Sequence, residues 1–315
     1  MHMTNTQLIA VAAGLLLLLL VLIPTKAFAQ QRFHRHLPAG NYSGICPLGN
    51  DLYAVVSDKE AEDGFYVFRL AIDTAKGRIT EAENLGYRSS GLPNRDMEGI
   101  CYVPSTNTVF ISGESDNEVY EYTLDGQRTG RRLAMPAEYK RAQANLGLEA
   151  LTYDSVAHRF YTTSERPLQG DSMLRIQAFG DDLQPLRQYL YRPDEPLSHK
   201  YYHGVPELLA TGDGRLLVLE RQLRIPRLKI GAKSVVSIYE VDIPADSDMP
   251  ADGLTVLQKR LLVSLKTRLT LTGRKFANYE GMCQPAPGWL LLVADSQGQY
   301  RKVIRDWFTL LTSEK

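Results

Sequence analysis

Nine carboxylates recur at two fixed points of a repeating phrase, and acids gathered in this way can hold a hard cation or share protons. One set is Glu98, Glu149, Glu207 and Glu280, with Ser43 in the place of a fifth acid. The other is Asp58, Glu114, Glu165, Glu220 and Asp295, each closing an apolar run. If the two sets converge, their repulsion raises their pKa values unless cations or arginines neutralise them. Two outcomes are open. Calcium favours clustered oxygens, here carboxylates, backbone carbonyls and the amides of Asn145 and Asn278, and would then hold a phosphate or activate water. On that reading Glu98, Glu149, Glu207 and Glu280 are candidate catalytic residues. Asp58, Glu98, Glu114, Glu149, Glu165, Glu220, Glu280 and Asp295 are candidate metal ligands. In the other outcome the acids accept hydrogen bonds from backbone N–H groups or arginines and staple one repeat to the next.

Lys59, Arg166 and Arg221 each follow one of the run-closing acids, and Arg95 precedes Glu98 by three residues. All four are candidates for binding a substrate phosphate, or else members of weak exposed ion pairs. His199 and His203 lie four apart in a long connection without a third partner and read as surface histidines. Asp246, Asp248 and Asp252 lack the spacing of a calcium loop and read as turn formers. No Gly-x-Ser-x-Gly elbow occurs, which leaves an α/β-hydrolase serine esterase without support. Nothing in the sequence calls for an organic cofactor.

The elements that must position these residues follow from the phrase itself. Its copies are Ser43-Gly44-Ile45-Cys46, Glu98-Gly99-Ile100-Cys101, Glu149-Ala150-Leu151-Thr152, Glu207-Leu208-Leu209-Ala210 and Glu280-Gly281-Met282-Cys283, 51 to 73 residues apart. Each is followed by a turn and a strand, and then by two more alternating segments, as a four-stranded meander requires. Such a meander cannot bury both its faces alone, so five of them predict an all-β chain, a single β-propeller whose last blade packs on its first. The blades are four-stranded and antiparallel. Five are expected, or six if Arg221 to Gly273 hides another sheet. The outer strand of the fourth unit is expected at Thr255 to Leu265, and the last two strands of the fifth at Gln299 to Ile304 and Trp307 to Leu311. Pro136 to Asn145 reads as a short surface helix, and Arg221 to Lys233 as a basic detour. In a propeller the first strand of each blade lines the channel, so the two acid sets should meet at one mouth.

Lys+Arg and Asp+Glu both number 36, without a lysine-rich run, which excludes the basic face of a nucleic-acid binder. Residues 1–29 read as an export signal: an apolar run from Leu8 to Ile23, Pro24, then Ala27-Phe28-Ala29 as a small-x-small cleavage site. The domain then spans 30–315, and the mature monomer is periplasmic or extracellular without a membrane span. The alternative is an uncleaved N-terminal anchor. Cys46, Cys101 and Cys283 share one register of the phrase and read as buried small side chains, with one disulfide open to them if the repeats close into a ring.

Five stretches, Ser43-Gly44, Asp96-Met97-Glu98-Gly99, Asn145-Leu146-Gly147-Leu148-Glu149, Glu207-Leu208-Leu209 with Leu217-Val218-Leu219-Glu220-Arg221, and Asn278-Tyr279-Glu280-Gly281, together resemble the phytase-like family labelled "esterase-like activity of phytase". The resemblance covers essentially the whole chain after the signal. Where a paired acid is expected after the last inner strand, Asp295 is followed by Ser296 and Gln297. The resemblance implies an exported β-propeller acting on a small phosphoester or ester, assisted by a metal at the acidic mouth. The alternative, from another class, is a non-catalytic propeller that binds a small ligand or envelope protein through the same face.

Overall fold

The computed structural model describes residues 29–227, 229–245, 254–296, 298 and 304–313. The apolar run, its cleavage site up to Phe28 and the three aspartates between 246 and 252 lie outside them. The chain opens with a short strand, β1 (Ala29–Gln31), and then builds the first sheet from β2 (Tyr42–Gly49), β3 (Leu52–Ser57), β4 (Glu62–Asp73) and β5 (Arg78–Pro93). The second holds β6 (Met97–Val103), β7 (Thr108–Gly113), β8 (Glu118–Thr123) and β9 (Arg128–Arg132). A 3-10 turn over Ala137–Arg141, where a helix is expected, leads to β10 (Leu148–Asp154), β11 (Arg159–Ser164), β12 (Leu174–Gly180) and β13 (Pro185–Tyr191). The fourth sheet is β14 (Tyr202–Ala210), β15 (Arg215–Arg224) and β16 (Lys233–Asp242), with β18 (Lys259–Arg268) at its edge after the short β17 (Leu254–Val256). The last is β19 (Asn278–Ala286), β20 (Trp289–Asp295) and β21 (Phe308–Thr312). These are five antiparallel blades arranged as a propeller, and Arg221 to Gly273 holds no sixth sheet among the described residues.

Two strands depart from expectation. The outer strand of the fifth blade is β1, brought from the other end of the chain to pair with β21 through Ala29↔Leu310 and Gln31↔Phe308. Of the strand expected at Gln299 to Ile304, residues 299–303 lie outside the described residues and Ile304 is in no strand. Closing the ring with the N-terminal strand gives β21 a partner and leaves it no open edge. In the fourth unit, Leu254–Val256 leaves its own blade and pairs in parallel with β13, and Lys259–Arg268 takes the outer position.

Alternation along each strand feeds two seams at once. On β15, Leu216 and Val218 pack into the seam with the third blade, and Leu217 and Leu219 into the seam with the fifth. Five such seams form the core, from Ile45, Phe68 and Leu310 at the closure to Val56, Ile100 and Val109 between the first two blades. The inner strands β2, β6, β10, β14 and β19 each contact the next, and β19 contacts β2. The small residue of the phrase permits this approach. A Cβ on Gly44 would fall within 3.0 Å of the Glu98 carbonyl oxygen, and one on Gly99 within 3.0 Å of that of Glu149. Cys46, Cys101 and Cys283 are buried and free, and burial pushes their thiol pKa values up.

Candidate functional site at the channel mouth

The inner strands begin, and their neighbours end, at one mouth of the channel. The register shows the convergence: Tyr42 pairs with Ser57, Met97 with Gly113 and Leu148 with Ser164, so Asp58, Glu114 and Glu165 follow directly beside the starts of β2, β6 and β10. An open cavity of about 490 Å³ results, lined by Asn41, Asp58, Lys59, Glu98, Glu149, Glu280, Asp295 and Gly298. Six of the sequence-predicted residues therefore meet in one place.

Within the mouth the acids form two overlapping clusters. Carboxylate oxygens of Glu98, Glu114 and Glu149 lie within 4.8 Å of one another, and so do those of Asp58, Asp96 and Glu98. Glu98 and Glu149 are buried. Burial, reinforced by Glu149 and Asp58, pushes the pKa of Glu98 well up, and burial with Glu165 does the same to Glu149. Burial lifts Glu114 to about 7, with Asp96 and Glu165 adding to the rise. Asp58 is raised by burial as well, although Lys59 stands 2.5 Å away and opposes the shift. Lys59 also reaches Asp96 at 3.2 Å and is 62% exposed, and among the described residues that line the cavity it is the cation. The Oδ1 atom of Asp58 is buried without a hydrogen-bond partner. Clustered hard oxygens, one of them unsatisfied, are the donor set that calcium takes, and the residues present fit that ion.

The far side of the mouth is neutralised by protein. Arg221 donates to Glu165 at 2.6 Å and also to Glu280, and Asn278 links Glu280 at 2.8 Å to Asp295 at 3.1 Å. These acids are stapled across the third, fourth and fifth blades. Arg221 is therefore a partner of the acids rather than a free phosphate ligand.

The structure puts the remaining candidates elsewhere. Glu207 is 1% exposed and accepts hydrogen bonds from its neighbour Leu208 and from Leu151 and Met282 of the adjoining blades, which makes it a staple deep in the channel. Glu220 accepts from Tyr191 at 2.5 Å, the Asp194 amide at 2.8 Å and Lys259 at 2.6 Å, joining the third blade to the fourth away from the cavity. Arg95 is buried and gives its guanidinium to Asp116, Tyr122 and the Ile111 and Glu118 carbonyls, beside the fully buried Asp63. It is a blade staple, because three residues before Glu98 the chain still runs between blades. Arg166 holds the His203 carbonyl at 2.9 Å and does not line the cavity. His203 is half-buried and its pKa is lowered by burial and by Arg166; His199 is exposed.

Two mouth residues escape the sequence reading. Asp96 stands two positions before Glu98 in a left-handed turn (φ 59°), held by the Asn94 side chain at 2.7 Å. It lies off the register of both acid sets, although it sits in the quoted stretch Asp96-Met97-Glu98-Gly99. Asn41 bridges Asp295 and accepts from the Gly298 amide at 2.6 Å, joining the first and last blades. Its only sequence signal is its place before the first copy of the phrase.

A family model described as "Phytase-like: Esterase-like activity of phytase" matches residues 37–297. No curated protein sequence matches the chain. Among solved structures, a luciferin-regenerating enzyme is similar at 10% identity and a TM-score of 0.44, over 90% of this chain and 94% of that one. A streptogramin B lyase is similar at 13% identity and 0.41, over 91% and 97%. A nidogen/laminin complex chain is similar at 14% identity and 0.43, over 89% and 88%.

Proposed function

The chain belongs to the phytase-like family, and from that membership and the geometry of the mouth we propose that it is an exported hydrolase of small phosphoesters that works with calcium. The observation that carries the proposal is the pair of carboxylate clusters sharing Glu98, with Lys59 exposed beside them. Asp58, Asp96, Glu98, Glu114 and Glu149 would hold the ion. Calcium bound there supplies charge neutralisation and Lewis acidity toward a phosphoryl oxygen.

The chain's own residues account for the expected calcium dependence. At a pH where the carboxylates of the mouth are ionised, a phosphoester is repelled, and Lys59, already engaged by Asp58 and Asp96, does not by itself reverse the field. With the acids neutralised, Lys59 becomes available to bind and orient the phosphate. Arg221 keeps Glu165 and Glu280 turned to the far wall, and Glu207 fixes the channel floor.

The test is release of phosphate from phytate and from a nitrophenyl phosphate, with calcium or with chelator. We expect turnover that requires calcium and is lost in Glu98→Gln. Absence of turnover on phosphoesters and carboxylic esters, in a folded protein supplied with calcium, overturns the hydrolase and leaves a ligand-binding mouth.

A further inference from the structure

Beyond Arg221, β15 continues for three residues, a rise of about 10 Å above the mouth, and ends at Arg224. Two connections follow at this corner of the fourth and fifth blades, described over 225–227 and 229–232 and over 269–277. Their sequence is one-sided: the two hold Arg227, Lys229, Arg274 and Lys275 without a single Asp or Glu. Lys266 and Arg268 belong to the edge strand β18, where basic residues guard against edge pairing. That does not explain the loops.

The loops are built rather than loose. Leu269 donates to the Ala232 carbonyl at 2.9 Å and Gly231 to the Leu269 carbonyl at 2.9 Å. Leu223, Ala232, Leu269, Phe276 and Ile304 form a small core of their own beneath them. On this support two large apolar side chains point outward, Ile230 at 53% exposure and Leu271 at 82%. Around them Arg227, Arg274 and Lys275 are exposed. Arg305, next to Ile304, has a buried Nε without an acceptor. Burial, with Arg32 and Arg274 nearby, pulls the Arg305 pKa down.

Apolar tips on loops that carry cations and no acid match the boundary of a bilayer, where hydrocarbon lies directly beneath phosphate. A soluble polyanion accounts for the cations and leaves Ile230 and Leu271 unexplained. We propose that this corner docks on a membrane surface rich in anionic phospholipid, with Ile230 and Leu271 entering the interface and Arg227, Arg274, Lys275 and Arg305 on the headgroup phosphates. The surface is separate from the mouth and does not depend on its chemistry.

Hydrogen exchange of the full chain, read by peptide, tests this locally. Vesicles of phosphatidylglycerol mixed with phosphatidylcholine are compared with pure phosphatidylcholine, and both with inorganic polyphosphate in solution. We expect slowed exchange in 225–232 and 269–277 with the anionic vesicles alone. Arg274→Gln should weaken the protection about fivefold in lipid concentration, from the loss of one headgroup contact. Ile230→Ser with Leu271→Ser should weaken it at unchanged charge, with both variants melting as the parent does. Unchanged exchange of these loops on anionic vesicles overturns the proposal. So does equal protection by polyphosphate that the two serine substitutions leave intact.

Discussion

Glu149 and Glu207 occupy the same point of the repeated phrase and have different surroundings. Glu149 sits in a cluster with Glu98 and Glu114, where burial and like charge hold its pKa up. Glu207 has backbone N–H donors aimed at it from two other blades. Glu149→Gln keeps the shape and removes a charge that the calcium-free protein holds unfavourably. We expect a melting temperature equal to or above the parent's and calcium affinity at least about tenfold lower, as when a charged ligand of a hard cation is lost. Glu207→Ala should do the reverse. It strands the Leu151, Leu208 and Met282 amides, at about 1–3 kcal/mol for each donor left without an acceptor, and should leave calcium affinity per folded molecule unchanged. Chemical denaturation and calcium titration of the two variants separate the roles, and the same response from both would refute the distinction.

Between these two residues the sequence offers no choice, because both read Glu at the head of the same phrase. What separates them is the bulge in each strand: Glu149 is the unpaired residue between Leu148 and Ala150 and lines the cavity, whereas Glu207 lies just past the bulge of β14, paired with Leu219, where neighbouring blades turn an N–H toward it. Arg95 shows the same limit: its distance from Glu98 is legible, and its burial between blades is not. By contrast Asp58, Glu114 and Glu165 were legible as mouth residues, since an antiparallel hairpin must return the end of one strand beside the start of its partner.

At the scale of the strand, glycine in the phrase is a packing requirement. A Cβ on Gly99 would meet the Glu149 carbonyl oxygen, the Leu151 amide and its Cβ, all within 3.0 Å, and two of those atoms are backbone. Nothing flexible can yield there. We expect Gly99→Ala to destabilise by about 1–3 kcal/mol, the usual cost of overpacking, seen as a lower denaturation midpoint at constant slope. Parent-like stability would show that the second and third blades do not approach as closely as described. The five blades and the inner strands of each were readable from alternation and turns. The edge assignments were not: β1 is only three residues long, and its pairing with β21 is fixed by ring closure. Leu254–Val256 carries no mark telling it to join β13 in parallel with the third blade.

For the molecule as a whole, the mouth couples charge to stability. Burial raises Glu114 from its ordinary 4.5 to about 7, and Glu98 and Glu149 move in the same direction. Between those values the native protein retains protons that the unfolded chain has released, so calcium-free stability falls as pH rises from about 4.5 through 7. Calcium binds the ionised acids and should remove the fall. Thermal melts across that range, with chelator and with calcium, are expected to diverge toward the higher pH. Two superimposable curves would mean that these acids are not linked to an ion.

The most direct test is a calorimetric titration of calcium into chelator-treated protein at about pH 7, run in two buffers of different ionisation enthalpy so that released protons are counted. We expect saturable binding with net proton release, because Glu98, Glu114 and Glu149 must ionise to take the cation. We expect both to disappear in Glu98→Gln, the side chain common to the two clusters. The absence of saturable heat in the parent, or binding that Glu98→Gln leaves unchanged, would contradict a cation site at the mouth of this propeller.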